Sequence, residues 1–573
     1  MEINMKKAQP LKKISLEAHY RKLADSCSNP VVTALFALVL SSSIGTAQAG
    51  ERESLEQLRA TTTNLVNLLV QEGVLSKDKA DALLKQAAQD AEKAKQKDAV
   101  AAPANTAESV DAEIDKKMVR VQYVPDIVKK EMKEDIKNEV METLNYKKGE
   151  RLGIPEWIDR ITWHGDMRLR YERQLFSDSN PARLEFNFAN NLNGSGFELG
   201  NTTNDRNRTR LRLRFGFDAN INDWLKGGVR MTTGALNDSL TGNQTLESAT
   251  SKYTLGLDRA FLKADVKPWL SVSGGRFENP FMSTDLVWDN DFPFDGVAAK
   301  FNHKFNNRWS TFGTLGAFPI DEIVGSDIEL ADSKFLIGGQ AGVKWTSQDK
   351  STAKLAMALY DFQNVEGKSN PLNLQSFNST APVFRTKGNS YFDINQQNNN
   401  AIFDPRFALA SKFRELNLTG EVDIATFSPV HVVLTGDYVR NIGFDKNEIA
   451  RRTGLSSAFI PKEEVDGYQL RMAVGTVSGT PALLTKKKEW QTFIAYKYLE
   501  ADAVLDSYTD SDFFQRGTNT KGWILGGAYG LDKNTWLQAR WFSADEISPR
   551  NGPTGRLNPL SIDVFQLDLN TQF

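Results

Sequence analysis

Over the last thirteen residues, Ser561 to Phe573, alternate side chains fall into two sets: Phe573, Thr571, Leu569, Leu567 and Phe565, against Gln572, Asn570, Asp568 and Gln566. This is a strand with one apolar and one polar face. A strand that finishes a chain in water is expected to guard its edge with charge or proline, yet this one finishes on a phenylalanine. A closed barrel in lipid removes the conflict. The apolar face meets hydrocarbon, the polar face meets a wet lumen, and the edge pairs with the first strand. The alternative is the last strand of a soluble β-sandwich, so the decision rests on whether the pattern repeats upstream.

It repeats. Ile161, Trp163, Met167, Leu169 and Tyr171 alternate with His164, Asp166, Arg168, Arg170 and Glu172, and Leu211, Leu213, Phe215 and Phe217 alternate with Arg208, Arg210, Arg212, Arg214 and Asp218. Further period-two segments lie near 225–234, 252–266, 269–276, 294–303, 308–318, 334–347, 352–362, 413–428, 430–441, 465–480, 487–503, 519–532, 533–545 and 561–573, sixteen in all. The expected fold is an all-β transmembrane antiparallel β-barrel of about 16 strands over residues 151–573. An even count puts both barrel ends in the periplasm. Short turns such as 219–223 and 531–534 are then periplasmic, and the long polar stretches 174–206, 363–405 and 442–464 are external. The low-complexity run Gln396 to Asn400 reads as a surface or lumen loop.

Composition is compatible with this. A mean hydropathy of −0.43 and 40% hydrophobic residues exclude a helical membrane bundle, because no mature segment has the ~20 consecutive apolar residues a spanning helix needs. They do not exclude strands that are only half apolar. A net charge of −2 gives no argument for nucleic acid as a partner.

Residues 1–49 read as a signal peptide: six basic residues, an apolar core from Val31 to Leu40, and Ala47-Gln48-Ala49 as the cleavage site. Removing those six basic and three acidic residues from the chain's 70 and 72 leaves a mature net charge of −5. The single cysteine, Cys27, leaves with the leader, so the mature chain relies on its own hydrogen bonding rather than on disulfides.

Residues 50–150 are helical in period. Leu55, Leu58, Leu65 and Leu69, then Ala80, Leu83, Leu84, Ala87 and Ala91, suggest a helical hairpin. A linker follows near 101–112, and after Pro125 comes a helix with the row Val128, Met132, Ile136, Val140 and Leu144. Such narrow stripes need a partner, by self-association as a coiled coil or by docking under the barrel. A mobile amphipathic linker is the plainer alternative. Trp157 and Trp163 suit a membrane interface.

Four segments carry a resemblance: Trp163 to Glu172 (WHGDMRLRYE), Gly275 to Phe281 (GRFENPF), Thr284 to Asp289 (TDLVWD) and Gly436 to Asn441 (GDYVRN). With the helical prefix around Tyr123-Val124-Pro125, they resemble the recurrent blocks of a family of putative porins of Gram-negative bacteria. The resemblance spans nearly all the mature chain. It implies an outer-membrane barrel that associates as a homotrimer, surrounded by outer-membrane lipid and inserted by the outer-membrane barrel assembly machinery, with Phe573 as the insertion signal. It implies no particular solute and no cofactor.

The inward row Arg208, Arg210, Arg212 and Arg214 neighbours Arg168 and Arg170 if these strands pair, and like charges across a pair are unfavourable. Counter-charges are expected from Asp166, Glu172 and Asp218, or from the acidic segment Asp285, Asp289, Asp291 and Asp295. The sharper expectation is that 277–295 folds into the lumen as a constriction loop facing the arginines, creating a transverse field that admits small polar solutes and favours anions. The plainer one is a solvated wall neutralised in place.

Catalysis is not expected. The exported chain keeps only His164, His303 and His431, far apart in sequence, and has no G-x-S-x-G or H-E-x-x-H. Asp289-Asn290-Asp291 lacks the downstream pattern of a calcium loop, so no metal is expected either. The function expected is passive diffusion through a water-filled channel. The alternative is a structural barrel whose residues 50–150 tether the outer membrane to peptidoglycan or join subunits. An autotransporter fits poorly, since about a hundred helical residues make a poor passenger.

Overall fold

The computed structural model describes residues 160–193, 195–247, 251–397 and 405–573. The expected signal peptide, the helical segment 50–150 and its linker, and Asn398 to Asn400 lie outside the described residues.

Sixteen long strands form the wall: β1 Ile161–Phe176, β2 Arg206–Asn220, β3 Leu225–Thr233, β4 Leu255–Lys267, β5 Leu270–Glu278, β6 Pro293–Lys304, β7 Trp309–Asp321, β8 Lys334–Thr346, β9 Thr352–Gln363, β10 Phe413–Ile424, β11 His431–Asn441, β12 Asp466–Gly475, β13 Trp490–Leu499, β14 Thr520–Asp532, β15 Thr535–Glu546 and β16 Ser561–Gln572. Each pairs antiparallel with its neighbours in the chain, and β16 pairs with β1 from Asp166 opposite Gln572 to Phe176 opposite Ile562. The sheet is therefore closed, as the alternation requires. No long strand is left with an unpaired edge.

The seam is finished by the last residue. The Gly165 amide donates to the Phe573 carbonyl at 2.9 Å, and the Phe573 amide donates back at 3.0 Å. The Phe573 ring lies over Gly165, where a Cβ would come within 2.5 Å of it. This is a close approach that only glycine allows.

The wall is turned inside out relative to a soluble sheet. On β16, Asp568 is 1% exposed while its neighbour Leu569 is 41% exposed. Leu257, Leu315, Met357 and Leu470 are likewise mostly exposed, whereas Arg170, Asn417 and Lys497 are buried. A continuous exposed belt of this kind is stable only against hydrocarbon. Aromatic side chains mark both borders. Trp163, Trp224, Trp269, Trp309 and Phe573 stand at the rim of short turns, and Tyr171, Tyr438, Tyr468 and Phe335 near the rim of long loops.

Several connections turn inward. The period-two segments at 413–428, 465–480 and 487–503 are longer than β10, β12 and β13. After β12 the chain leaves the wall because Val477, Ala482 and Leu484 pack on Trp536 and Ala528. At the long-loop end, the 279–292 connection buries Leu286, Val287 and Trp288 against Tyr360, Phe362 and Phe294 of the wall. The 500–519 connection joins the same cluster through Val504, Leu505 and Tyr508. An apolar core thus occupies part of the barrel interior, and the stretch 363–405, expected as an external or lumen loop, contributes Tyr391 to it.

Candidate functional site

Strand pairing decides which charges meet. The β1–β2 register sets Arg168 opposite Arg212, Arg170 opposite Arg210, Glu172 opposite Arg208 and Asp166 opposite Arg214. On the other side, Arg170 lies opposite Asp568 and Glu172 opposite Gln566. Because strand side chains alternate, all of these share the inner face. Over these levels the four adjacent strands β15, β16, β1 and β2 carry seven inward arginines (Arg168, Arg170, Arg208, Arg210, Arg212, Arg214 and Arg540) and three carboxylates (Asp166, Glu172 and Asp568), a net charge of +4.

Geometry shows how this wall is tolerated. Arg170 is fully buried; its Nε and Nη2 donate to the two Asp568 oxygens at 2.7 and 2.9 Å, a bidentate pairing. Its Nη1 donates to Asp512 of the 500–519 connection at 2.8 Å, and Arg540 Nη2 donates to the other Asp512 oxygen at 2.9 Å. Arg208 pairs with Glu172 at 2.8 Å. Arg210 reaches the same carboxylate at 3.7 Å and donates to the Asn243 carbonyl at 3.2 Å. Arg168 donates to Asn570 at 3.1 Å. Asp166 accepts from Arg212 and Arg214 at 3.0 and 2.8 Å, and Asp291 of the 279–292 connection accepts from the same two arginines at 3.0 and 2.9 Å.

Two loop carboxylates therefore each bridge two arginines of the wall. Burial pushes the Asp291 carboxyl up, but Arg212 and Arg214, with Arg168 and Arg230 behind them, outweigh it and hold the group below the usual carboxylate range. The balance at Asp512 is the same, with Arg170 and Arg540 overcoming burial. Asp289 has no such partner. Burial, and after it the carboxylates of Asp291 and Asp510, raise it well above the ordinary value. It accepts from the Ser511 amide at 2.7 Å, which ties 279–292 to 500–519.

The rest of the acidic segment is dispersed. Asp285 accepts from Gln469 of β12 at 2.7 Å and lies 3.5 Å from Lys497 of β13. Asp295 pairs with Arg276 across β5 and β6. Asp218 is an exposed neighbour of His164 at 3.6 Å and touches no arginine of the row. His303 packs on Phe305, and His431 lies 2.7 Å from Asp423, so the three histidines sit on separate strands, β1, β6 and β11. Among the described residues no group of three or more His, Cys, Asp or Glu could hold a metal ion.

Sequence reasoning did not name Asp512, Arg540 or Lys497, and it set Asp568 on the polar face of the last strand without pairing it to the arginines. Asp568 and Arg540 sit at inward positions of alternating strands and could have been found by that signal. Asp512 belongs to a connection without periodicity. On the long-loop side of the Arg170–Asp512 bridge lies a polar cavity of about 480 Å³, bounded by Glu172, Arg206, Arg208, Arg210, Asp512 and Arg516 among others.

Comparison with known proteins adds a family. A family model described as a putative porin matches residues 59–573. No curated protein sequence matches the chain. Among solved structures, OprB of Pseudomonas putida covers 73% of this chain and 96% of its own at 11% identity, with a TM-score of 0.40. A loop L8 deletion mutant of OmpT, an outer membrane protein of Vibrio cholerae, covers 72% and 100% at 12% identity and TM-score 0.37. The outer membrane channel DcaP of Acinetobacter baumannii covers 72% and 97% at 11% and 0.34.

Proposed function

Because the chain belongs to the putative porin family, we propose that it forms a water-filled channel for passive diffusion of small polar or charged solutes across the outer membrane, with a preference for anions. The single observation that carries the preference is the net charge of +4 on four adjacent strands, of which Asp291 and Asp512 neutralise two. A transverse field of that sign, with Asp291 on the loop facing Arg212 and Arg214, lowers the barrier for anions more than for cations. In this reading Arg168, Arg208, Arg210, Arg214 and Asp166 line the pore, Arg170, Arg212 and Glu172 are enclosed in its wall, and 279–292 forms the constriction through Asp291.

The short-turn rim faces the periplasm in this reading, and the long connections face outward, supported by the usual asymmetry of such barrels. That places the segment before β1 in the periplasm, and the family likeness supports a homotrimer as the assembly. The chain acts as a channel rather than an enzyme.

Reversal potential in a potassium chloride gradient tests the preference. The wild-type channel is expected to favour chloride, and Arg210→Ala with Arg212→Ala to shift the potential toward cation preference. Cation preference in the wild type, unchanged in the double variant, contradicts it.

A further inference from the structure

Asp291 and Asp512 have a property that the strand carboxylates lack. Asp166, Glu172 and Asp568 are fixed in the wall by the barrel's own hydrogen bonding. Asp291 and Asp512 stand on connections that reach the wall from the long-loop rim and touch it by bridging arginine pairs: Arg212 with Arg214, and Arg170 with Arg540. With both in place the wall still carries +2. Its guanidinium groups also have unused donors: Nε of Arg210, Arg212 and Arg540 is buried and meets no acceptor among the described residues. Guanidinium pairs of this kind suit planar or tetrahedral oxyanions.

The 480 Å³ cavity opens beside one of the two bridges. Its charged lining is Arg206, Arg208, Arg210 and Arg516 against Glu172 and Asp512, with Arg206 and Arg516 also paired behind the lining to Glu247 and Asp238. Asp512 is part of its lining, and the chamber lies on the long-loop side of the Arg170–Asp512 bridge.

We propose that Asp291 and Asp512 are tethered stand-ins for the acid groups of the permeating solute, and that the wall they cover is a binding site for a small organic dianion, carboxylate or phosphate. The inference rests on the channel reading and deepens it. The solute takes the guanidinium donors of Arg170 and Arg540 as Asp512 gives them up, then those of Arg212 and Arg214 as Asp291 does the same. Exchange of one anion for another leaves no arginine unpaired at any stage, so passage avoids the cost of stripping a buried cation of its partner. A monoanion replaces only one tether, and a neutral solute replaces neither.

The experiment uses the full mature chain in planar bilayers at pH 8, with succinate and glycerol 3-phosphate as dianions and glycerol as the neutral control. Added dianion should interrupt the chloride current with a saturable, voltage-dependent block, while glycerol should not. The two dianions distinguish carboxylate from phosphate as the better fit. Asp512→Asn and Asp291→Asn each remove a competitor and add one positive charge, so each should lower the half-blocking concentration about tenfold, the scale of one modest charge interaction. The two substitutions lie on different loops, so misfolding of one loop leaves the other as a test.

A half-blocking concentration that is unchanged or higher in both variants overturns the inference, as does a block by glycerol equal to that by succinate. Either result leaves chloride conduction, and so the channel reading, intact. A chain that inserts and conducts no ions contradicts the channel reading and removes this inference with it.

Discussion

At the scale of single residues, the account turns on arginines that are buried without being apolar. Arg170 is fully enclosed, with four nitrogen–oxygen approaches to Asp568, Asp512 and Glu172 within 4.0 Å. A buried charge that loses its partner is far costlier than an exposed pair that does. Asp568→Asn is therefore expected to destabilise the barrel by about 3 kcal/mol, read as a fall in the midpoint of the heat-modifiable transition. Glu247→Gln, which breaks the exposed pair with Arg206 at 3.2 Å, should cost less than ~0.5 kcal/mol. Equal effects from the two would mean that the inner wall is as wet as the rim. This difference was half legible in the sequence. The arginines stand out at every second position, but which acid neutralises which arginine depends on register, and the β1–β16 register joins residues almost four hundred positions apart.

At the scale of elements, the strands were readable and the inward loops were not. A strand wedged between lipid and lumen must alternate, so its residues announce it; a connection folded into the lumen answers to no period. Leu286-Val287-Trp288 offered a brief apolar signal within 279–292, whereas Asp510 and Asp512 offered none. These connections contain two groups that burial shifts in opposite directions. Asp502, buried with Arg550 and Glu464 as its charged neighbours, is raised to about 6. Lys387, whose Nζ donates to the carbonyls of Phe514, Gln515 and Arg516, is lowered by burial to about 7.

The signs follow from linkage. The raised Asp502 contributes stability that is complete below about 4 and is lost as pH climbs through 6. The depressed Lys387 contributes stability that is complete above about 10.4 and is lost as pH falls through 7. Together they place the weakest anchoring of 500–519 between about 6 and 7. Hydrogen exchange of this segment, corrected for the intrinsic rate, should be fastest in that window and slower at pH 4.5 and pH 9. Asp502→Asn should abolish the acid-side recovery and Lys387→Met the alkaline-side one. Exchange that varies in a single direction across the range would contradict the pair of shifts.

At the scale of the whole molecule, closure explains most of what is seen. Pairing of β16 with β1 satisfies the strand edges, leaves an exposed apolar belt that only hydrocarbon can cover, and gathers charge onto an inner face. This much was written in the alternation of some four hundred residues. What was not written is how much of the interior the connections fill, because Tyr391, Tyr508 and Trp288 join one cluster from three connections far apart in sequence. The claim beneath all the others is that a passage of water remains between those connections and the arginine wall. Single-channel recording from the purified mature chain in symmetrical potassium chloride tests it most directly. The account predicts current steps of uniform size that scale linearly with voltage; a chain that inserts as a heat-modifiable barrel yet yields no such steps would contradict it.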